Sequence, residues 1–271
     1  MTETRAANGS KLSVRGVEKT FVNRQGAVSA LGPLDLDMRD GEFLCVVGPS
    51  GCGKTTLLNI VAGLETPDAG EAVFDGKVIR EPGPDRIVLF QDLGLFPWMT
   101  VHGNVEFGLR LAGKKRAERR KRAAHFLRMV HLGGFHSSYV HELSGGMKQR
   151  VALARALAMD PVMLLMDEPF AALDAQTRDM LHTELQEIWT STKKTILFIT
   201  HNVREAACLA DRVVTMTRRP GKLKREFFVD IPRPRQIEDP EVGALASRIR
   251  DDLREEIEAV LEEERRRAKE R

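Results

Sequence analysis

No long apolar run occurs in this 271-residue chain. A helix needs about 18 or more consecutive apolar residues to cross a bilayer, and no stretch here approaches that. Cysteine is scarce. Cys45, Cys52 and Cys208 form no metal-ligand pattern, and their odd count argues against a disulfide framework and fits a reducing compartment. Neither sign of charge dominates: 42 Lys and Arg against 39 Asp and Glu leave +3, without the strongly basic footprint of a nucleic-acid binder. Met1 to Lys11 is polar and lacks the apolar core of a signal peptide. The expectation is a soluble chain, with no nucleic-acid partner, that reaches any membrane through another protein.

What the chain does contain is Gly48-Pro49-Ser50-Gly51-Cys52-Gly53-Lys54-Thr55, a match to G-x-x-x-x-G-K-[ST] with suitable flanks. Glu42–Val47 reads as a short buried strand before it. Thr56–Ala62 reads as a helix behind it, with Leu57, Leu58, Ile60 and Val61 as its apolar face. In that order the glycines let successive backbone N–H groups turn inward, and the helix N-terminus adds partial positive charge. Lys54 then reaches the β- and γ-phosphates, and the Thr55 hydroxyl takes a place on Mg²⁺. The loop implies binding of a nucleoside triphosphate. Alone, it leaves kinases, GTPases, helicases and transport ATPases open.

Around this loop, residues 11–38 read as two β segments about a polar turn at Asn23–Gly26, and 71–79 as a hairpin on Asp75-Gly76. A Pro/Gly loop at 81–86 leads to a strand, Ile87–Phe90, that ends at Gln91. From about Trp98 to Met159 the pattern is helical. Apolar strands follow at Val162–Met166, Thr195–Thr200 and Arg212–Thr217, with helices expected over 175–190 and 203–209. Such alternation predicts an α/β fold: a mostly parallel sheet covered on both faces, with a β-rich start and an inserted helical middle. No internal repeat is visible. The charged run Lys114–Arg122 has no aromatic residues to stack on bases and reads as a solvated helix face. After Pro240, Leu245, Ile249, Leu253, Ile257 and Leu261 form one apolar stripe suited to packing on the body of the protein. Glu262–Arg266 and Glu263–Arg267 are favourable i,i+4 pairs there.

Two further motifs narrow the class. Met163–Asp167-Glu168 is an apolar strand ending in two acids: Asp167 is placed to hold Mg²⁺, and Glu168 to orient or deprotonate an attacking water. Leu143-Ser144-Gly145-Gly146-Met147-Lys148-Gln149-Arg150 opens an apolar-patterned helix, with Ser144 as a helix cap and two glycines that leave backbone amides open to an anion. With these motifs the sequence closely resembles the ATP-binding cassette family of transport ATPases, from about Leu12 to Arg235.

The resemblance carries expectations for single residues. Phe21 is expected to stack on adenine, and Gln91 to link the site to the helical region and meet the metal. Residues Gly48, Pro49, Ser50, Gly51, Cys52, Gly53, Lys54, Thr55 and Thr56 are expected to hold ATP. Ser144, Gly145, Gly146 and Asp174 join them, and His201 matches the switch histidine beside the γ-phosphate. Met147 stands where many members have glutamine, with ATP contact expected to remain intact. Gly83–Arg86, Gln91 through Trp98, Pro169–Arg178 and the ending from Arg219 to Arg235 look like the nitrate/sulfonate/taurine importer group. The resemblance implies a P-loop ATPase core over 11–240 with a helical subdomain at about 94–159, and a helical tail over 241–271. It also implies two copies sandwiching ATP and Mg²⁺, a membrane permease, and indirectly a periplasmic solute-binding protein, at the cytoplasmic face of the inner membrane. The rivals are a cassette ATPase acting on nucleic acid or the ribosome, an exporter ATPase, and a nucleotide-dependent regulatory module.

Overall fold

The computed structural model describes residues 9–23 and 26–269. The chain forms two compact units: one combines the chain up to Gly83 with that from Thr195 onward, and the other is Pro84–Lys194.

The first unit opens with an antiparallel sheet. β1 (Ser10–Asn23) pairs with β2 (Gly26–Arg39) and with β4 (Ala69–Phe74), which turns into β5 (Lys77–Val78). Along β2, Leu34, Leu36 and Met38 are buried while Pro33, Asp35 and Arg39 are exposed, the alternation of a half-buried strand. Asp75 and Gly76 both have positive φ, 50° and 75°, as a two-residue hairpin turn requires. The centre of the expected turn between β1 and β2, Arg24-Gln25, lies outside the described residues.

A second sheet in this unit sets β3 (Phe43–Val47) between β8 (Thr195–Thr200) and β9 (Arg212–Met216), all parallel, with β10 (Leu223–Phe228) antiparallel on β9. Every residue of β3, β8 and β9 is buried, so none of these strands alternates; β3 is wholly apolar, and the buried Arg212 that opens β9 is paired with Glu42 at 2.7 Å. Phe43 and Phe198 pack at 5.9 Å between ring centroids, and truncating either to alanine costs about 3–5 kcal/mol. Among the described residues of this unit the helices are α1 (Lys54–Ala62), α6 (Val203–Leu209) and α7 (Pro240–Lys269). At the end of α6, Arg233 donates to the Leu209 carbonyl at 2.6 Å and buried Arg235 to the Ala210 carbonyl at 2.6 Å. Burial, aided by the Arg233 charge, pulls the Arg235 pKa down to about 10. Both cations sit where the helix dipole favours them.

β10 has no counterpart in the sequence reading. Its run Leu-Lys-Arg-Glu-Phe-Phe is charge-rich, with Phe227 buried and Phe228 exposed. The stripe on α7 holds only in part: Leu245, Ile249 and Leu253 are buried, but Ile257 is 38% exposed. Residues four apart advance about 40° per step on a straight helix, so by Ile257 the stripe has turned roughly 120° off the seam. The side chains of Leu261 and of the two expected ion pairs lie outside the described set, apart from exposed Glu262.

The second unit holds two parallel strands, β6 (Arg86–Leu89) and β7 (Met163–Asp167), and four helices: α2 (Val101–Leu111), α3 (Arg116–Met129), α4 (Gly145–Ala158) and α5 (Ala175–Thr192). The expected helical stretch from Trp98 to Met159 is thus three helices with a short 3-10 turn at Val140–Glu142. Thr100 caps α2 by accepting from the Gly103 N–H at 3.0 Å. Lys114–Glu118 is solvent-exposed as expected, whereas half-buried Arg122 pairs with Asp160 at 3.4 Å. Arg150 and Glu184 tie α4 to α5 at 2.6 Å, where burial raises the Glu184 pKa against the pull of Arg150.

Candidate functional site

In the first unit, parallel register brings the phosphate loop and His201 to one edge. Val47 of β3 pairs with Thr200 of β8, so Gly48 and His201 each begin one residue beyond the same rung. Open α/β sheets hold their ligands at these carboxyl ends. The loop bends through glycines in the left-handed region. Gly51 has φ 70° and Gly53 φ 104°, and a Cβ on Gly53 would stand 2.6 Å from Leu31 Cδ2 and 2.7 Å from the Ala30 carbonyl oxygen. Gly53 caps α1 without a side-chain hydrogen bond, leaving that helix start to offer its first N–H groups. Ser50, Gly51 and Thr55 are exposed and Thr56 half-buried, while Gly48, Pro49, Cys52 and Lys54 are buried. Lys54 Nζ donates to the Gly48 and Pro49 carbonyls, both at 2.9 Å, which keeps the ammonium curled over the loop. Burial raises the Cys52 thiol pKa despite the nearby Lys54 charge, so the loop carries a neutral thiol.

Phe21 lies near the end of β1 and is 41% exposed, so it is no core residue of the first β layer. Lys19 Nζ lies 5.5 Å from its ring centroid and is itself held by Glu65 at 2.8 Å and Asp68 at 3.1 Å. The Lys19 ammonium is thus held within cation–π range of an exposed ring.

In the second unit, β6 and β7 play the corresponding part. Leu89 pairs with Met166, so Gln91 and Glu168 leave the two strands at the same level. Asp167 is the buried last residue of β7. Glu168 follows with φ 46°, a left-handed backbone that costs a non-glycine residue of order 1–3 kcal/mol. Asp174 caps α5, accepting the Thr177 N–H at 2.9 Å, and that bond holds its carboxyl below the usual range. Ser144 caps α4, accepting the Met147 N–H at 3.3 Å. Ser144 and Gly145 are exposed, while Gly146 is buried where a Cβ would meet Thr177 Cγ2 at 2.4 Å. The glycine at 146 therefore lets the starts of α4 and α5 approach each other.

Two residues that sequence reasoning missed hold the segment from Gln91 to Met99. Asn104, fully buried on α2, accepts from the Phe96 N–H at 2.8 Å and donates to the Phe96 and Thr100 carbonyls at 3.1 and 3.0 Å. Arg155, on α4, donates to the Leu93 and Gly94 carbonyls at 2.5 and 2.6 Å. Its guanidinium also lies 5.9 Å from the Phe96 ring centroid. An asparagine amid an amphipathic helix and an arginine in an apolar one are the only signals the sequence offers for either role. The Phe96 ring packs on Phe107 at 4.4 Å and on Trp98 at 5.6 Å, and Trp98 is left 70% exposed.

A glycine-cut loop between a buried strand and a helix, with its lysine buried beneath, defines a P-loop nucleoside triphosphatase on an α/β fold. The comparisons make the class narrower. The ABC transporter family model matches residues 31–171, more than half of the chain. An uncharacterized ABC transporter ATP-binding protein of Methanocaldococcus jannaschii is 50% identical, over 91% of this chain and 92% of its own. The nitrate import ATP-binding protein NrtD of Synechocystis is 48% identical, over 82% and 83%. The taurine import ATP-binding protein TauB of Burkholderia pseudomallei is 45% identical, over 83% and 86%. A dimeric bacterial ABC transporter cassette superposes with a TM-score of 0.72 at 32% identity, covering 82% of this chain and all of that one. A post-hydrolysis dimer bound to ADP and phosphate gives 0.70 at 33% identity, over the same shares. The chain belongs to the ABC transporter family. It is an ATP-binding ABC ATPase, similar to the nitrate and taurine import subunits.

Proposed function

We propose that the chain is the ATPase subunit of an importer for a small solute of the nitrate, sulfonate or taurine kind. It works with a separate membrane permease at the cytoplasmic face of the inner membrane, and a solute-binding protein delivers the cargo. The observation that carries this reading is Trp98, 70% exposed beside the half-buried Phe96 ring, on a segment that Asn104 and Arg155 hold from within the unit. A tryptophan on a rigid base is a frequent anchor where one protein docks on another. Among the described residues no helix is long and apolar enough to cross a membrane, so docking on a permease is how this chain would act there.

In this reading ATP lies with its phosphates on the backbone of residues 48–56, its γ-phosphate met by Lys54 and His201, and its adenine on Phe21. Thr55, Gln91 and Asp167 would hold Mg²⁺. A hydroxyl, an amide and a carboxylate are the oxygen donors a hard cation takes, and no cluster of three or more His, Cys, Asp or Glu among the described residues competes as a closed metal cage. When bound, the ion neutralises charge on the phosphoryl oxygens. Glu168 accepts the proton of the water that attacks the γ-phosphorus, the bond to the bridging oxygen breaks, and ADP and phosphate leave. Residues 144–146 and Asp174 of a second copy close over the nucleotide, giving a self-complementary pair.

Capture of the permease by Trp98→Ala and Phe96→Ala tests the docking surface. Both variants should bind the permease weakly and keep wild-type ATP affinity; Trp98→Ala should also keep the wild-type melting temperature, whereas Phe96→Ala, which loses the Phe107 contact, should lower it while remaining folded. Unchanged capture by both folded variants would remove this surface from the mechanism.

A further inference from the structure

β3 has two parallel neighbours, and both end beside the phosphate loop. Val47 is level with Thr200 of β8 and with Thr215 of β9. After β8 comes His201. After β9 comes a turn, Thr217–Lys222, closed by the Thr217 N–H on the Lys222 carbonyl at 2.9 Å and by the Lys222 N–H on Thr217 Oγ1 at 3.0 Å.

This turn is built against the loop. Gly221 donates to the Ala30 carbonyl at 3.0 Å and accepts from the Gly32 N–H at 3.1 Å. A Cβ on Gly221 would fall 1.9 Å from the Cys52 carbonyl oxygen, so any other residue would force the two backbones apart. Two residues earlier, Arg219 is exposed and reaches back along the loop: a Cβ on Gly51 would lie 2.5 Å from Arg219 Nη2. The turn is held from the far side by α7. Glu256 accepts the Arg218 N–H at 2.9 Å, and Lys224 bridges the Asp252 carbonyl at 2.6 Å and Glu256 at 3.3 Å. The Asp252 carboxylate accepts the Thr215 hydroxyl at 2.8 Å and pairs with Arg225 at 3.3 Å.

We propose that Arg219 is a further nucleotide-positioning residue, its guanidinium meeting the polyphosphate of ATP seated on the loop, and that Glu256 of α7 sets its place through the backbone of Arg218. The proposal rests on residues 48–55 being the phosphate cradle. A guanidinium presents a rigid fork of donors matched to phosphate oxygens, and its attraction grows with the charge of the ligand. It should therefore favour ATP over ADP. The α7 helix then serves the site without touching it, by holding the turn that carries the arginine.

Titration of the full chain with fluorescent ATP and ADP analogues, beside melting temperatures, tests this on Arg219→Ala, Arg219→Lys and Glu256→Ala. Arg219→Ala should bind ATP about tenfold more weakly, the usual scale for a lost charge-assisted contact, and ADP less so. Arg219→Lys should recover part of that loss, and Glu256→Ala, which removes the acceptor of the Arg218 N–H, should lose about threefold in the same direction. ATP binding unchanged in Arg219→Ala would overturn the proposal, as would an equal loss for both nucleotides with a lowered melting temperature. Glu256→Ala binding ATP as wild type would overturn the part played by α7. Lys54→Ala separates the layers: if it loses ATP while Arg219→Ala does not, only the arginine's role fails. If it too binds normally, the cradle assignment fails with it.

Discussion

The phosphate loop after β3 and the acidic turn after β7 occupy equivalent places in their two units. Each leaves the carboxyl end of a fully buried five-residue strand and passes through left-handed backbone, the loop at Gly51 and Gly53 and the acidic turn at Glu168. Their preparation is opposite. The loop spends its positive φ values on Gly51 and Gly53, so the chain turns without strain and presents N–H groups around a buried lysine. The acidic turn places its positive φ on Glu168, a residue that resists it. Where only backbone is needed, glycine absorbs the turn. Where a carboxylate must stand at that point, the chain accepts the strain.

The largest break in this comparison is Lys54→Ala. It removes the one ammonium the loop folds around, and hydrolysis should fall to background in a phosphate-release assay while the melting temperature stays near wild type. Glu168→Gln comes next: turnover should slow by ~10²-fold or more, the worth of a positioned base, with ATP affinity kept. On the loop side, Gly53→Ala meets both a left-handed φ and the Ala30 carbonyl, and denaturant unfolding should show a loss of roughly 2–3 kcal/mol. The smallest effect has the opposite sign. Glu168→Gly should abolish hydrolysis yet raise stability by up to about 1 kcal/mol, since relief of left-handed strain outweighs the added freedom of the unfolded chain. If Glu168→Gly destabilises instead, the strain assigned to that position is absent.

Much of this was legible in the residues. β8 and α6 fall where the apolar run Thr195–Thr200 and the segment Val203–Leu209 put them, because buried parallel strands and short capped helices leave strong local patterns. The loop, the acidic strand end and the Ser144 helix start were readable as motifs. The structure adds register, which puts Gly48 level with His201 and Gln91 level with Glu168. What escaped was non-local. β10 owes its place to pairing with β9 rather than to its own apolar pattern, and four charged or exposed residues masked it. Asn104 and Arg155 act on carbonyls eight and more than sixty residues away, and no spacing rule connects them. The φ of Glu168 has no sequence signal either, since glutamate, unlike glycine, asparagine or aspartate, does not mark a left-handed turn. The stripe on α7 was overextended because a four-residue period drifts around a 3.6-residue helix.

The central claim is that two copies of this chain close over ATP and that Glu168 hydrolysis reopens them. Light scattering of Glu168→Gln with and without Mg-ATP, across a wide protein concentration range, tests it most directly. With hydrolysis arrested, Mg-ATP should convert the variant from monomer to dimer, and ADP should not. A mass that stays monomeric at every concentration with saturating Mg-ATP would contradict the shared site.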